Sequence, residues 1–121
     1  MKVKHFTELN VWQKADKLFI DLYLYSEKFP TKAGARTITD QILRSCGSIS
    51  ANIAEGFYTR TTKHYIHYLD TALNSAAETE NWLYKIQGCG LISQEKLKPL
   101  MTICTEIEKM LQTMIRNLEN R

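Results

Sequence analysis

The fold of this 121-residue chain is decided by one stretch, Gln41-Ile42-Leu43-Arg44-Ser45-Cys46-Gly47-Ser48-Ile49-Ser50-Ala51-Asn52-Ile53-Ala54-Glu55-Gly56-Phe57. Its glycine and serine residues are mediocre helix formers, and propensity alone predicts a loop. Apolar side chains nevertheless recur at alternating spacings of four and three, as on one face of a helix. That face comprises Ile38, Ile42, Cys46, Ile49, Ile53 and Phe57. We therefore predict a helix over residues 37–57, whose small side chains let a neighbouring helix approach closely.

The same spacing continues on both sides of this segment and predicts three more helices, over residues 8–28, 62–87 and 94–119. Their apolar stripes are Val11, Ala15, Leu18, Leu22, Tyr25 and Phe29; Tyr65, Leu69, Ala72, Ala76, Thr79, Leu83 and Ile86; and Leu97, Leu100, Cys104, Ile107, Leu111, Met114 and Leu118. Segments separated by short loops pack as antiparallel neighbours. No segment alternates apolar and polar residues as a half-buried strand does. We predict an all-α, up-down-up-down antiparallel four-helix bundle that forms a single domain over residues 1–121.

Capping residues set the expected helix ends. Thr37, either Thr61 or Thr62, and Ser93 are suited to begin the second, third and fourth helices. The third helix is expected to stop at Gly88. Pro99 lies past the first turn of the last helix, where it should either kink the helix or delay its regular part to about residue 99.

Composition excludes several classes of protein. With 44% hydrophobic and 24% charged residues, the chain has the balance of a globular domain. Its longest apolar run is four residues, Leu22 to Tyr25, whereas a membrane-spanning helix needs about 20. No apolar block follows the basic start at Lys2 and Lys4, so we expect no secretory signal, no membrane association and a cytoplasmic location. The three cysteines lack a C-x-x-C pair and are expected to be small core residues.

The stretch from Gln41 to Phe57 resembles the most distinctive motif of the four-helix-bundle proteins encoded in intervening sequences of bacterial 23S ribosomal RNA genes, a family often labelled S23 ribosomal protein. Leu9 to Ala15 is similar to the opening of the family's first helix, and Phe29-Pro30 is similar to its end. Arg60 to Leu69 looks like the start of the third helix. The resemblance covers nearly the whole chain.

The chain departs from the family pattern at Ala76-Ala77 and at Gly88-Cys89-Gly90, which looks like a looser exit from the third helix. The resemblance implies a ring-like homo-oligomer, a pentamer in structurally known relatives. A related branch is the accessory protein of diversity-generating retroelements, a basic pentamer that binds nucleic acid and its reverse transcriptase. By analogy, the resemblance favours nucleic-acid binding here as well.

Catalytic and metal chemistry find little support in the sequence. No Glu is followed three residues later by His, and no phosphate-binding glycine loop is present. His64, His67 and Asp70 could share a metal on one helix face, but a solvated polar face is the stronger interpretation. Asn52 and Glu55 are expected close to the packed face of the second helix and invite a catalytic role. We expect them instead to be structural polar residues that fix helix register, cap the next helix or bridge subunits. We predict no enzyme activity, no metal and no cofactor.

Charge is the more informative feature. Between Lys28 and His67, six basic residues face only two acidic ones. We predict that nucleic acid is bound by Arg36, Arg44, Arg60, Lys63 and His64, with Tyr58 stacking on unpaired bases. In an antiparallel bundle, Arg60 and Lys63 lie one helix length from Arg36, at the opposite end.

Surplus aromatic residues suggest subunit contacts. Trp12, Phe19 and Tyr23 form a second stripe on the first helix, and Trp82 lies off the seam of the third. Aromatic residues are enriched at protein interfaces, so we expect these four to lie at an oligomer interface. The leading hypothesis is a non-enzymatic oligomeric accessory factor that binds structured RNA or single-stranded nucleic acid. The alternative is a protein-interaction scaffold that binds a protein partner and no nucleic acid.

Overall fold

The computed structural model describes residues 2–121. A short 3-10 turn at Phe6–Glu8 precedes four helices. These are α1 (Asn10–Ser26), α2 (Ala33–Phe57), α3 (Thr62–Gly88) and α4 (Gln94–Glu119), and no strand occurs within the described residues. Each helix packs against its neighbours in chain order, and α1 closes the bundle against α4. The fold is the predicted all-α four-helix bundle.

Helix α2 confirms that apolar spacing outweighs weak local propensity. The run from Ser45 to Ala51 is helical throughout, and Ile42, Cys46, Ile49 and Ile53 are buried. The predicted start at Thr37 is wrong, because α2 begins four residues earlier, at Ala33. Thr37 is an interior residue whose hydroxyl donates to the carbonyl of Ala33 at 3.1 Å. No side chain caps the helix, which explains why no capping signal marks its start.

The ends of α3 and α4 follow familiar capping rules. Thr61 and Ser93 act as N-caps, their hydroxyls accepting from the backbone N–H of His64 and Lys96. Gly90 has a φ of +76°, which suits glycine. The N–H groups of Gly90 and Leu91 donate back to the carbonyls of Gln87 and Ile86. This is a tight Schellman stop rather than the loose exit expected there.

Pro99 lies inside α4, which begins at Gln94 and continues without interruption to Glu119. The expected delay of the helix to about residue 99 is therefore wrong. The ring of Pro99 is exposed, and because Pro has no N–H it cannot donate to the carbonyl of Glu95. That carbonyl belongs to the first turn of the helix, and Glu95 itself is exposed.

The core lies along the four predicted stripes. Four residues are buried but were not predicted to be: Ile92 in the loop before α4, Ile115 in place of the half-buried Met114, Ser45 and Gly56. Helices α2 and α3 pack most extensively. At Gly56 a Cβ atom would lie only 2.8 Å from the Cβ of Tyr68, so this glycine is required for the close approach of the two helices.

Candidate nucleic-acid interface

The structure brings four of the six predicted nucleic-acid residues together. Tyr58, Arg60, Lys63 and His64 lie on the turn from α2 to α3 and on the first turn of α3, and all four are exposed. No acidic residue lies in that first turn. Because the N-terminus of a helix carries partial positive charge, cations placed there are unfavourable unless an anion accompanies them.

The structure places Arg44 elsewhere. It lies halfway along α2, where its guanidinium binds the carboxylate of Glu78 on α3 at 2.6 Å and the amide oxygen of Gln41 at 2.9 Å. The indole N–H of Trp82 donates to the same Glu78 oxygen at 3.2 Å. Arg44 is therefore paired with a carboxylate of its own chain and links α2 to α3.

Arg36 is also separated from the group. It lies in the first turn of α2 and donates to the carbonyl of Thr31 at 3.0 Å. The antiparallel arrangement puts it at the end of the bundle remote from Arg60 and Lys63, as the sequence predicts.

Charge is segregated along the bundle axis. We define the α2–α3 end as residues 2–9, 55–65 and 115–121, the opposite end as residues 26–37 and 85–98, and the waist as the other described residues. The α2–α3 end holds six Lys or Arg residues and three glutamates, whereas the opposite end holds six and two. The waist holds four basic and eight acidic residues. Both ends therefore attract anions, while the waist repels them.

The α2–α3 end includes residues that the sequence analysis missed. Phe6 packs edge-on against Trp12 and Tyr58, with ring centroids 5.4 and 6.1 Å apart. His5 stacks on Phe6 at 4.5 Å. A capping box, in which Glu8 accepts from the backbone N–H of His5 at 2.9 Å, holds this segment in place. The available signal was the three-residue spacing of His5 and Glu8, although His is an uncommon cap.

The C-terminal residues reach the same end of the bundle. Tyr65 and Arg121 line one shallow groove with Met114, Asn117 and Leu118. Burial raises the pKa of the Tyr65 hydroxyl, and the positive charge of Arg121 opposes that rise. The guanidinium of Arg121 therefore adds to the positive field around the start of α3.

Asn52 and Glu55 have different surroundings. The amide of Asn52 donates to the carbonyl and the hydroxyl of Ser48, at 2.8 and 3.0 Å, and the hydroxyl of Ser75 on α3 donates to that same Ser48 hydroxyl at 2.9 Å. Thr79 on α3 donates likewise to the buried hydroxyl of Ser45 at 2.9 Å. Glu55, by contrast, is exposed rather than close to the packed face.

The aromatic residues predicted for an oligomer interface fall into two groups that differ in exposure. Trp12, Phe19 and Trp82 are half-buried and pack against the core of their own chain. A Cβ atom at Gly47 would lie 3.3 Å from the ring of Phe19, so that ring fills the space which the glycine leaves. Tyr23 is exposed, and it adjoins two further exposed apolar residues of α1, Ile20 and Leu24. We call Ile20, Tyr23 and Leu24 the α1 apolar face.

The titratable side chains of residues 2–121 provide no metal-binding group. His64, His67 and Asp70 are exposed, and the described part of the chain brings no three His, Cys, Asp or Glu side chains together as metal ligands. Burial raises the pKa of the Cys46 thiol to about 12 and raises that of Cys104 further. Both thiols therefore stay protonated and unreactive. Cys89 departs from the expected core position, because it follows the last residue of α3 and is exposed.

One carboxyl group, that of Glu108, has a raised pKa. Burial, followed by a hydrogen bond and charge repulsion from Glu80, raises the pKa of Glu108 to about 7. The pair links α3 to α4 in the waist. The raised pKa means that protonation of Glu108 extends to near-neutral pH.

The fold and its basic ends define a class of small four-helix-bundle protein. Among the helices of residues 2–121, none combines the length and apolar character needed to span a membrane. The chain belongs to the 23S rRNA-intervening sequence protein family, whose sequence profile matches residues 7–113. This confirms the resemblance seen in the motif from Gln41 to Phe57.

A solved structure supports the same assignment. It is a protein of unknown function from the S23 ribosomal protein family of Bacteroides thetaiotaomicron VPI-5482, and it is 29% identical to this chain. The alignment covers 88% of this chain and 95% of that chain, with a TM-score of 0.81. A comparison with curated proteins gives no match.

Proposed function

We propose that this protein is a non-enzymatic, cytoplasmic accessory factor that binds nucleic acid through its α2–α3 end. The observation that carries the proposal is the grouping of exposed Arg60, Lys63 and His64 beside exposed Tyr58, at a helix start that has no acidic residue. Phosphate groups would be attracted by both the cations and the backbone N–H groups of the first turn.

Assembly would strengthen this binding. A homo-oligomer, a pentamer by resemblance to structurally known relatives, would repeat each basic end around one axis. Weak contacts to a polymer then act together, because after the first contact the others form at high effective concentration. The α1 apolar face is the surface we assign to contacts between copies, since exposed apolar side chains that lie together mark interfaces.

The test measures binding of labelled structured RNA and single-stranded DNA by fluorescence anisotropy, between about 50 and 200 mM salt. The double variant Arg60→Glu, Lys63→Glu should weaken binding at least tenfold. It should also lower the slope of log K against log salt by about 2, because two phosphate contacts are lost.

The matched control is Lys32→Glu, Lys98→Glu, which makes the same change of charge at the opposite end. It should retain most of the affinity. Equal losses in both double variants would contradict the assignment to the α2–α3 end, and no binding by the unaltered protein at low salt would overturn the function itself.

A second candidate is a scaffold that binds another protein and no nucleic acid. The α1 apolar face favours it, together with an adjoining open groove of about 600 Å³ lined by Asp21, Leu24, Tyr25, Glu27 and Lys28. Under this function, Arg60 and Lys63 serve solubility, and the salt series would show no binding.

A further inference from the structure

The amino-terminal segment packs two exposed rings beside the cations of the α2–α3 end. Tyr58 is 58% exposed, and His5 is exposed as well. Both contact Phe6, which is half-buried and rests on Trp12. We call His5, Phe6 and Tyr58 the aromatic platform.

Ring contacts and backbone hydrogen bonds hold the aromatic platform from both sides. The ring of Tyr58 meets those of Phe57 and Phe6 at 89° to each, with centroids 5.0 and 6.1 Å away. The backbone N–H of Thr7 donates to Nδ1 of His5 at 3.3 Å, and the amide of Gln13 donates to the carbonyl of Thr7 at 2.9 Å. Rings fixed in this way lose little conformational freedom when a flat ligand stacks on them.

We propose that the aromatic platform makes this end selective for single-stranded nucleic acid by stacking on unpaired bases. The inference rests on the proposed function, since Arg60 and Lys63 supply the phosphate contacts. Exposed aromatic rings interleaved with cations suit unpaired bases, whose faces are free. In a duplex the base faces are already stacked on one another, so a duplex can use only the charge of this end.

Three probes of equal phosphate number separate stacking from charge: a labelled oligothymidylate, an abasic strand with the same backbone, and a blunt-ended duplex without a loop. At about 50 mM salt, the unaltered protein should bind the oligothymidylate about tenfold more tightly than either of the other two.

The variant Tyr58→Ala should lower the affinity for the oligothymidylate towards that for the abasic strand, and Tyr58→Phe should restore the preference. Tyr84→Ala is the matched control, because Tyr84 is also 58% exposed but lies in the waist. It should behave as the unaltered protein. Circular dichroism melting of each variant verifies that the bundle is intact.

The outcomes separate this inference from the function on which it rests. If the unaltered protein binds all three probes equally and Arg60→Glu, Lys63→Glu weakens them all, the stacking inference is overturned while nucleic-acid binding stands. If Tyr84→Ala loses the preference as Tyr58→Ala does, the platform is likewise overturned. If no probe binds, both proposals fail.

Discussion

At the scale of single residues, glycine decides how closely α2 and α3 approach. Gly56→Ala would place a methyl group 2.8 Å from the Cβ of Tyr68, so the helices must separate. We expect a loss of about 1–3 kcal/mol in the free energy of unfolding. Urea denaturation of the variant and the unaltered protein measures this difference in the free energy of unfolding.

The control is Gly34→Ala, because Gly34 is helical too but has no atom within 4 Å of its added Cβ. It should be neutral or more stable by up to about 1 kcal/mol. Equal effects at the two glycines would refute the close approach at Gly56.

Cysteine reactivity offers a second test at this scale. Cys46 and Cys104 are buried with raised pKa values, whereas Cys89 is exposed. A thiol reagent such as Ellman's should modify one thiol per native chain at pH 8 and all three after unfolding. Rapid modification of two or more native thiols would show that the core is open.

At the scale of helices, the Glu80 and Glu108 pair couples stability to pH. The pKa of Glu108 rises from 4.5 to about 7 on folding. The folded chain therefore holds a proton that the unfolded chain releases, and stability should fall as the pH rises from about 4.5 to 7. Glu108→Gln imitates the protonated carboxyl. It should raise the melting temperature by about 3–5 °C at pH 8 and by much less at pH 5.

Glu106→Gln is the control for this prediction. Glu106 lies on the same helix but pairs with Lys14 at 3.3 Å on the exposed surface. Loss of this ion pair should change the melting temperature only slightly, and the change should be the same at both pH values. A pH profile of stability that Glu108→Gln leaves unaltered would contradict the raised pKa of Glu108.

The helices could be predicted from the sequence because the apolar spacing is kept even where helix propensity is low, as it is from Ser45 to Ala51. The start of α2 could not be predicted, since Ala33 to Arg36 carry neither an apolar stripe nor a side-chain cap.

The candidate site could be predicted where its residues are neighbours in sequence, from Tyr58 to His64. The pairing of Arg44 with Glu78 depends on the register of α2 against α3, and the contact of Phe6 with Tyr58 joins distant parts of the chain. Neither leaves a periodic signal.

At the scale of the whole molecule, the α1 apolar face should control assembly. Tyr23 and Leu24 are 47% and 57% exposed, so placing charge there should disrupt contacts between copies without disturbing the core. We expect the double variant Tyr23→Glu, Leu24→Glu to reduce the oligomer to monomers in light scattering coupled to size exclusion. Tyr84→Glu should keep the oligomer. An unaltered protein that is already monomeric would contradict this assembly.

The central claim concerns which part of the bundle meets nucleic acid, and amide hydrogen exchange with and without an oligothymidylate tests it most directly. The two ends carry similar charge, so charge alone does not distinguish them. We predict that the oligonucleotide slows exchange in residues 2–9 and 55–65 and leaves residues 26–37 and 85–98 unchanged. Protection confined to residues 26–37 and 85–98, or no protection at a saturating concentration, would contradict the account.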